Sequence, residues 1–533
     1  MSTPKIAILF KTYADIRAVL LNRQEIALLD VREEHPHAQA HPLFAANFPL
    51  SKIELDAYTK LPRRDVPIVT LDDGEGFAEL AAQKLINLGF TDVSMLAGGV
   101  SGWQLDGGEI FRDVNVPSKA FGELVEAERH TPSLSAEEVQ ALIDSKADVI
   151  IVDARRVDEY QTMSIPTATS VPGAELVLRI RELAPHPETQ VIVNCAGRTR
   201  SIIGTQSLIN AGLTNPVSAL RNGTIGWKLA GLKLDRGKDL RFKNMSETNR
   251  IKAATEARKV ANKAGVKRAL LTDIPGWQQQ KARTIYFFDV RTPEEFTSGH
   301  IPGFISAPGG QLVQETEMVS PVRGARIVLV DSDNVRANMS GSWLAQMGWE
   351  TYVVDGTQPS DFSEVGQTVK PLPPLPEVRK ITSLILSGWL KSTEQTVVLD
   401  VGTSQNYIRQ HIPGAWYVLR SNFTEDWKHI PKASRYVVTS ENGILAIFAA
   451  AEIETLVPKA EVVVLDGGTQ AWCDSAYAIE NGPTNLASEP IDRYRRPYEG
   501  TDNPREAMQG YLDWEFGLVE QLSRDGTHHF KVI

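Results

Sequence analysis

Of 533 residues only two are cysteine, Cys195 and Cys473, and they sit in unlike surroundings. So sparse a supply excludes a disulfide framework and fits a reducing compartment. Apolar runs approaching the roughly 18–20 residues that span a bilayer are missing, which excludes a transmembrane helix. The short apolar stretch at residues 6–10 carries no small-residue cleavage site, so residues 1–10 do not read as a signal peptide. A soluble, cytoplasmic protein is the expectation. Positive charge is not in excess either: 56 Lys and Arg against 66 Asp and Glu leave a net charge of −10. That balance argues against a nucleic-acid partner, though not against a small anion held by a local arginine cluster. Clusters of His and Cys at ligand spacing are also missing, so neither metal nor organic cofactor is expected.

What the chain does contain is a repeat. A β-branched run ending in Asp occurs four times, at residues 26–30, 149–153, 285–289 and 397–400. Each is followed by a second β-branched run, a polar loop and an amphipathic helix. The first loop residue lies 42 positions after the Asp in copies one to three and 40 after it in copy four. A third run follows, and in three copies a Gly-containing turn and a Trp (Trp103, Trp227, Trp472) close the pattern. Strands alternating with helices imply βαβ crossovers, hence an α/β fold with a central parallel sheet covered by helices on both faces. The spacing places repeat one at 1–118, repeat two at 130–245, repeat three at 248–368 and repeat four at 376–483. Boundaries fall around residues 116–133, the charged stretch 247–267 and the Pro-rich run 370–377. Residues 484–533 form a tail outside the repeat, and 504–522 reads as a helix docking on the body.

The loops after the second run differ in chemistry. Copy one begins it with Asp72, copy three with Asp331 and copy four with Ser440; copy two reads Cys195-Ala196-Gly197-Arg198-Thr199-Arg200-Ser201. A cysteine at a strand end, ahead of a short loop and a helix, meets several backbone N–H groups and the positive end of the helix dipole. Arg198 and Arg200 add positive potential, and all of this favours thiolate over thiol. The same cradle suits a bound anion or a sulfur attached to the cysteine. An inert buried cysteine is the alternative, but the glycine, both arginines and the repeat register favour a nucleophile. An aspartate at that position cannot carry sulfur, and serine without a base is a poor nucleophile, so repeats one, three and four are expected to be inactive. Asp153 and Arg155 have counterparts in copies without the cysteine and read as structural support. Arg179 and Arg181 read as surface charge with pocket-mouth lining as the alternative, and Cys473 as a packed residue.

The Asp-x-Arg after the first strand, the His-Ile-Pro-Gly at 300–303 and 411–414, the strand–Cys–loop–helix and the terminal Gly-Gly…Trp resemble the rhodanese family of sulfurtransferases. The resemblance covers nearly the whole chain as four tandem domains. It implies that Cys195 attacks the outer sulfur of thiosulfate or a persulfide, holds it as a persulfide and passes it to a thiol or cyanide. Residues 196–201 (Ala196, Gly197, Arg198, Thr199, Arg200, Ser201) would then bind a small anionic sulfur donor. In some members a substrate-binding arginine lies four residues after the Arg of Asp-x-Arg; Glu159 stands there in this chain, which makes a thiol-derived persulfide an alternative donor. Repeat two also lacks the histidine of His-Ile-Pro-Gly, reading Ser164-Ile165-Pro166-Thr167, so that histidine is no general base.

Two other functions compete. Related phosphatase loops resemble Cys-x5-Arg, whereas the position six after Cys195 is Ser201, giving a smaller cradle better sized for one sulfur. Three copies without cysteine fit a binding or scaffold protein, a role compatible with catalysis by the second. Repeat one is the expected wall facing the Cys195 loop. The oligomeric state is left open.

Overall fold

The computed structural model describes residues 7–392 and 394–533. Residues 1–6, on which the reading of the N-terminal stretch partly falls and with which repeat one opens, and Thr393 within repeat four lie outside the described residues. Among the described residues no helix is long and apolar enough to cross a membrane.

Every Asp-terminated run is a strand, and it is apolar throughout because the sheet is covered on both faces. Ile26–Asp30 is buried at all five positions. The four copies share one sheet order. In repeat two the strands Ser133–Leu134, Val217–Leu220, Gln190–Asn194, Val149–Asp153 and Thr169–Ser170 lie side by side in that order, all parallel. Chain order therefore reverses between Val149–Asp153 and Gln190–Asn194. In open parallel sheets the crevice at the carboxyl ends of such strands is where ligands bind, and Asp153 and Cys195 stand at that point.

The copies are not beads on a string. Val322–Arg323 of repeat three adds an antiparallel strand to repeat one's sheet, pairing Val322 with Ala27 and Arg323 with Ile26. Repeats two and three meet through glycines: a methyl group on Gly310 would lie 3.2 Å from the backbone nitrogens of Ala174 and Gly173. The helix Glu247–Lys263 packs on Leu176–Leu183 of repeat two and Arg336–Gln346 of repeat three.

Two segments differ from the sequence reading. The stretch around 116–133, taken as a polar boundary, contains the helix Val116–Arg129, with Val116, Ala120, Phe121 and Val125 fully buried. It lies against Thr199–Asn210, the helix that follows the Cys195 loop. Lys119 and Glu123 inside it are buried as well, and these charges made the segment look solvated. The tail holds two helices rather than one, Arg505–Phe516 and Leu518–Asp525, separated at Gly517. The Pro-rich run 370–377 has neither helix nor strand.

Candidate active site

The Asp-x-Arg pairs are built alike in three repeats. Arg155 Nε donates to Asp153 Oδ1 at 2.9 Å, and its Nη2 donates to Asp153 Oδ2 at 2.7 Å and to the Met163 carbonyl at 2.6 Å. Arg32 with Asp30 and Arg291 with Asp289 repeat this geometry, reaching the carbonyls of Ala40 and Gly299. The fork ties the strand end to the following turn, with both partners buried. Repeat four has Gly402 in place of the arginine. There burial pushes Asp400 up to about 6, whereas in repeat one Arg32 and His37 overcome burial and hold Asp30 at about 2.

The residue at the loop's first position meets one recurring donor, the backbone N–H six residues on. Ala78 N–H donates to Asp72 Oδ2 at 2.9 Å, Ala337 N–H to Asp331 Oδ2 at 2.8 Å and Ala446 N–H to Ser440 Oγ at 3.2 Å. A second donor serves the aspartates, Gly74 N–H at 3.1 Å from Asp72 and Asn334 N–H at 2.9 Å from Asp331. In two copies the cradle thus already holds the chain's own carboxyl group, and at Asp331 burial with the neighbouring Asp333 pushes that group up to about 8. In repeat two Cys195 stands in the same place. Its sulfur meets the backbone N–H of Ser201, and its S–H donates to Ser201 Oγ at 3.4 Å. The Ser201 hydroxyl donates in turn to the Arg198 carbonyl at 2.8 Å.

The following Gly-containing turn braces the loop from behind. Thr224 N–H donates to the Cys195 carbonyl at 2.9 Å and Ile225 N–H to that of Ala196 at 3.0 Å. With its carbonyls tied back, the loop presents N–H groups on its other side. Gly223 makes the approach possible: its φ is +53°, and a methyl group there would fall 2.3 Å from the Cys195 oxygen.

Both loop arginines are already paired. Arg198 was expected to reach substrate, but its Nε and Nη2 grip the carboxylate of Glu123 on the helix Val116–Arg129 at 2.7 and 2.8 Å. Glu126 and Asn222 also accept from it, and its guanidinium stacks over Phe516. Arg198 therefore fastens the loop to its neighbours. Arg200 forks onto Glu159 at 2.7 and 2.8 Å, the residue standing where some relatives carry an arginine. Burial opposes the charge of Glu159, yet Arg200 holds it at about 2. Arg200 also lines a polar cavity of about 360 Å³ with Arg155, Arg156, Arg493, Arg496 and Tyr498. Arg179 pairs with Glu175 and Arg181 donates to the Ala211 carbonyl, so neither turns to the loop. Cys473 is half-buried in the helix Gly468–Asp474.

The wall over the loop is the tail, not repeat one. The helix Arg505–Phe516 packs Met508, Tyr511 and Leu512 against Ile225 beside the cysteine loop. A methyl group on Gly197 would meet the Tyr511 ring at 3.1 Å and Glu515 Oε2 at 3.4 Å. Cys195 is consequently 1% exposed. Its thiol does not sit low, as the sequence suggested. Burial pushes it up, against Arg200 and Ser201, and Glu515 adds to the rise. Helical spacing in the tail marked a buried face but gave no sign of which surface it covers. Among the described residues no group of His, Cys, Asp and Glu has the geometry of a metal site.

Residues 14–106, 135–230, 275–357 and 386–475 each match the rhodanese-like domain family. A solved thiosulfate sulfurtransferase from Pseudomonas aeruginosa is 62% identical, covers 99% of this chain and 100% of its own, and superposes with a TM-score of 0.97. An HTH-type transcriptional regulator of Mycobacterium tuberculosis is 33% identical over 90 residues, 17% of this chain; the match spans 39% of that relative's length.

Proposed function

This chain belongs to the rhodanese-like family, and from that premise we propose that it is a sulfurtransferase whose reacting group is Cys195. The similarity to the Pseudomonas aeruginosa thiosulfate sulfurtransferase runs over the full length of both chains, which supports thiosulfate as a donor. One observation carries the residue assignment. The cradle holds a carboxyl group in repeats one and three and a hydroxyl in repeat four, and it holds a thiol in repeat two alone.

The Cys195 thiolate attacks the outer sulfur of thiosulfate, the donor's S–S bond breaks, and sulfite leaves with the bonding pair. The proton released when the thiol ionised ends on the departing sulfite as hydrogensulfite. The cysteine now carries a persulfide whose terminal sulfur bears the negative charge. A thiol or cyanide acceptor then attacks that outer sulfur, and Cys195 leaves as thiolate. Backbone N–H groups at the helix start, which in the sister loops donate to the aspartate side chains, stabilise the anion at each stage. Arg200, whose charge opposes the burial of the Cys195 thiol, supplies the positive potential that attracts a small anionic donor, while Arg198 keeps the loop in shape. Asp153 and Arg155 support the strand end, and repeats one, three and four carry no sulfur. The activity belongs in the cytoplasm, where thiols stay reduced.

Intact mass after incubation with thiosulfate or glutathione persulfide tests this. The expected result is a gain of one sulfur mass, lost on adding cyanide and absent in Cys195→Ser. Full sulfur transfer by Cys195→Ser would sink the assignment.

A further inference from the structure

The tail brings an acid to the cysteine loop that the reaction above does not use. Glu515, in the last turn of the helix Arg505–Phe516, is fully buried, and its Oε1 accepts from Tyr511 Oη at 2.8 Å. Its other oxygen, Oε2, has no hydrogen-bond partner among the described residues and lies over Gly197, two residues from Cys195. A buried carboxyl oxygen left alone costs stability unless something comes to it. We infer that Glu515 is a catalytic residue of this site, whose carboxyl Oε2 donates to the outer sulfur that Cys195 carries.

The surroundings keep that proton in place. On the helix Val116–Arg129, Glu123 faces Glu515 with like charge, and Glu126 stands beside it on Arg198. Lys119, from the same helix, is occupied by Asp113 at 2.6 Å and sits among the rings of Tyr498, Tyr511 and Trp514. From the loop, Arg198 is committed to Glu123, Arg200 to Glu159, and Cys195 brings a thiol. Burial, with Glu123 adding, pushes Glu515 up to about 8 against the pull of Lys119, Tyr511 and Arg198. Near neutral pH the group is a neutral acid, able to donate. Above about 8 it is a carboxylate, which repels a thiolate, a persulfide and the anionic donor alike.

This inference rests on the sulfurtransferase reading, and its test separates the two. Two profiles against pH are measured on the full chain: sulfur uptake from thiosulfate, and alkylation of Cys195 by iodoacetamide, with Cys473 as internal control. In the wild type, uptake corrected for thiol ionisation should fall as pH rises through about 8. Glu515→Gln keeps the shape and an N–H donor but cannot ionise. It should take up sulfur several-fold more slowly than wild type near neutrality, because an amide N–H is a weaker donor than a carboxyl O–H, yet lose the alkaline fall and show a lower apparent thiol pKa in alkylation. Glu515→Ala has no donor and should take up sulfur about ten- to a hundredfold more slowly near neutrality, the cost of one hydrogen bond to a charged group, with the gap to wild type closing above about pH 8 where the native carboxyl has lost its proton. Tyr511→Phe, a milder change, should move the alkaline limb upward, since Tyr511 favours the ionised carboxyl. Glu515→Gln profiles that superimpose on wild type in both assays overturn the inference. A shifted alkylation profile in a protein that takes up no sulfur from any donor would keep Glu515 at the cysteine site and overturn the sulfurtransferase reading instead.

Discussion

Arg198→Ala separates a loop fastener from a substrate ligand. Arg198 and Glu123 each expose only 4% of their side chains, and the arginine also serves Glu126 and Asn222. Removing one partner of a buried, hydrogen-bonded ion pair strands the other charge, a loss of about 3–5 kcal/mol. In the unit that contains repeat two, that corresponds to a melting transition lower by roughly 10 °C. Burial already pushes Glu123 above the usual carboxylate range, so without Arg198 it takes up a proton more readily. The loss should therefore be larger near pH 8 than near pH 6, roughly in proportion to the fraction of Glu123 still charged. Calorimetry at both pH values reads this directly. Arg198→Met combined with Glu123→Leu removes both charges and keeps the volume, so it should recover most of the stability. An Arg198→Ala protein that melts like wild type but has a KM for thiosulfate raised tenfold or more would refute the reasoning and restore the arginine to substrate.

Glu159→Gln releases Arg200 from its fork, and the KM for thiosulfate should fall about three- to tenfold as the freed guanidinium turns to the donor; an unchanged or higher KM would show that the pair itself shapes the pocket. The same pair has a signature in acid. Because Glu159 is held at about 2, its stabilisation is present above its ordinary value of 4.5 and lost as pH falls from there through about 2, a loss that Glu159→Gln should abolish in acid melts. Gly223→Ala places a methyl group 2.3 Å from the Cys195 carbonyl oxygen at a φ of +53°, so the loop must deform. Sulfur uptake should fall at least a hundredfold while Cys473 alkylation stays unchanged, and near-normal uptake would mean that the brace is dispensable.

The repeat itself was legible because it rests on local rules. Each β-branched run ends in an aspartate that closes the following turn, so strand ends and loop starts could be placed in all four copies without a structure. Cys195 was legible for the same reason: one register position, compared across four loops, showed a thiol once. The arginines were not legible. Arg198 and Arg200 looked like substrate ligands because sequence shows their charge and not their partners, and those partners are 75 and 41 residues away. The thiol's raised pKa was hidden likewise, since its burial comes from a helix more than 300 residues further along. The helix Val116–Arg129 looked like a boundary because Lys119, Glu123 and Glu126 are charged, and only their pairing makes burial tolerable.

The silent copies matter to the active one through packing. Arg336, which opens the helix after the repeat-three loop, donates to Glu175 of repeat two at 2.7 Å and is itself buried. Arg420 of repeat four forks onto Glu54 of repeat one at 2.6 and 2.8 Å. The tail that roofs Cys195 leaves repeat four at about residue 484, and its Lys531 N–H ends on the Gln346 carbonyl of repeat three. Its path is therefore set by all four copies, and a shift in any of them moves Tyr511 and Glu515 relative to Gly197. An isolated repeat two would keep the Ser201 cradle, because that is local. It would lose the helix Val116–Arg129, leaving Arg198 without Glu123, and it would lose the roof, leaving the thiol in water. Such a fragment should ionise more easily than the full chain yet hold its persulfide less well, since the carboxyl over the loop would be gone.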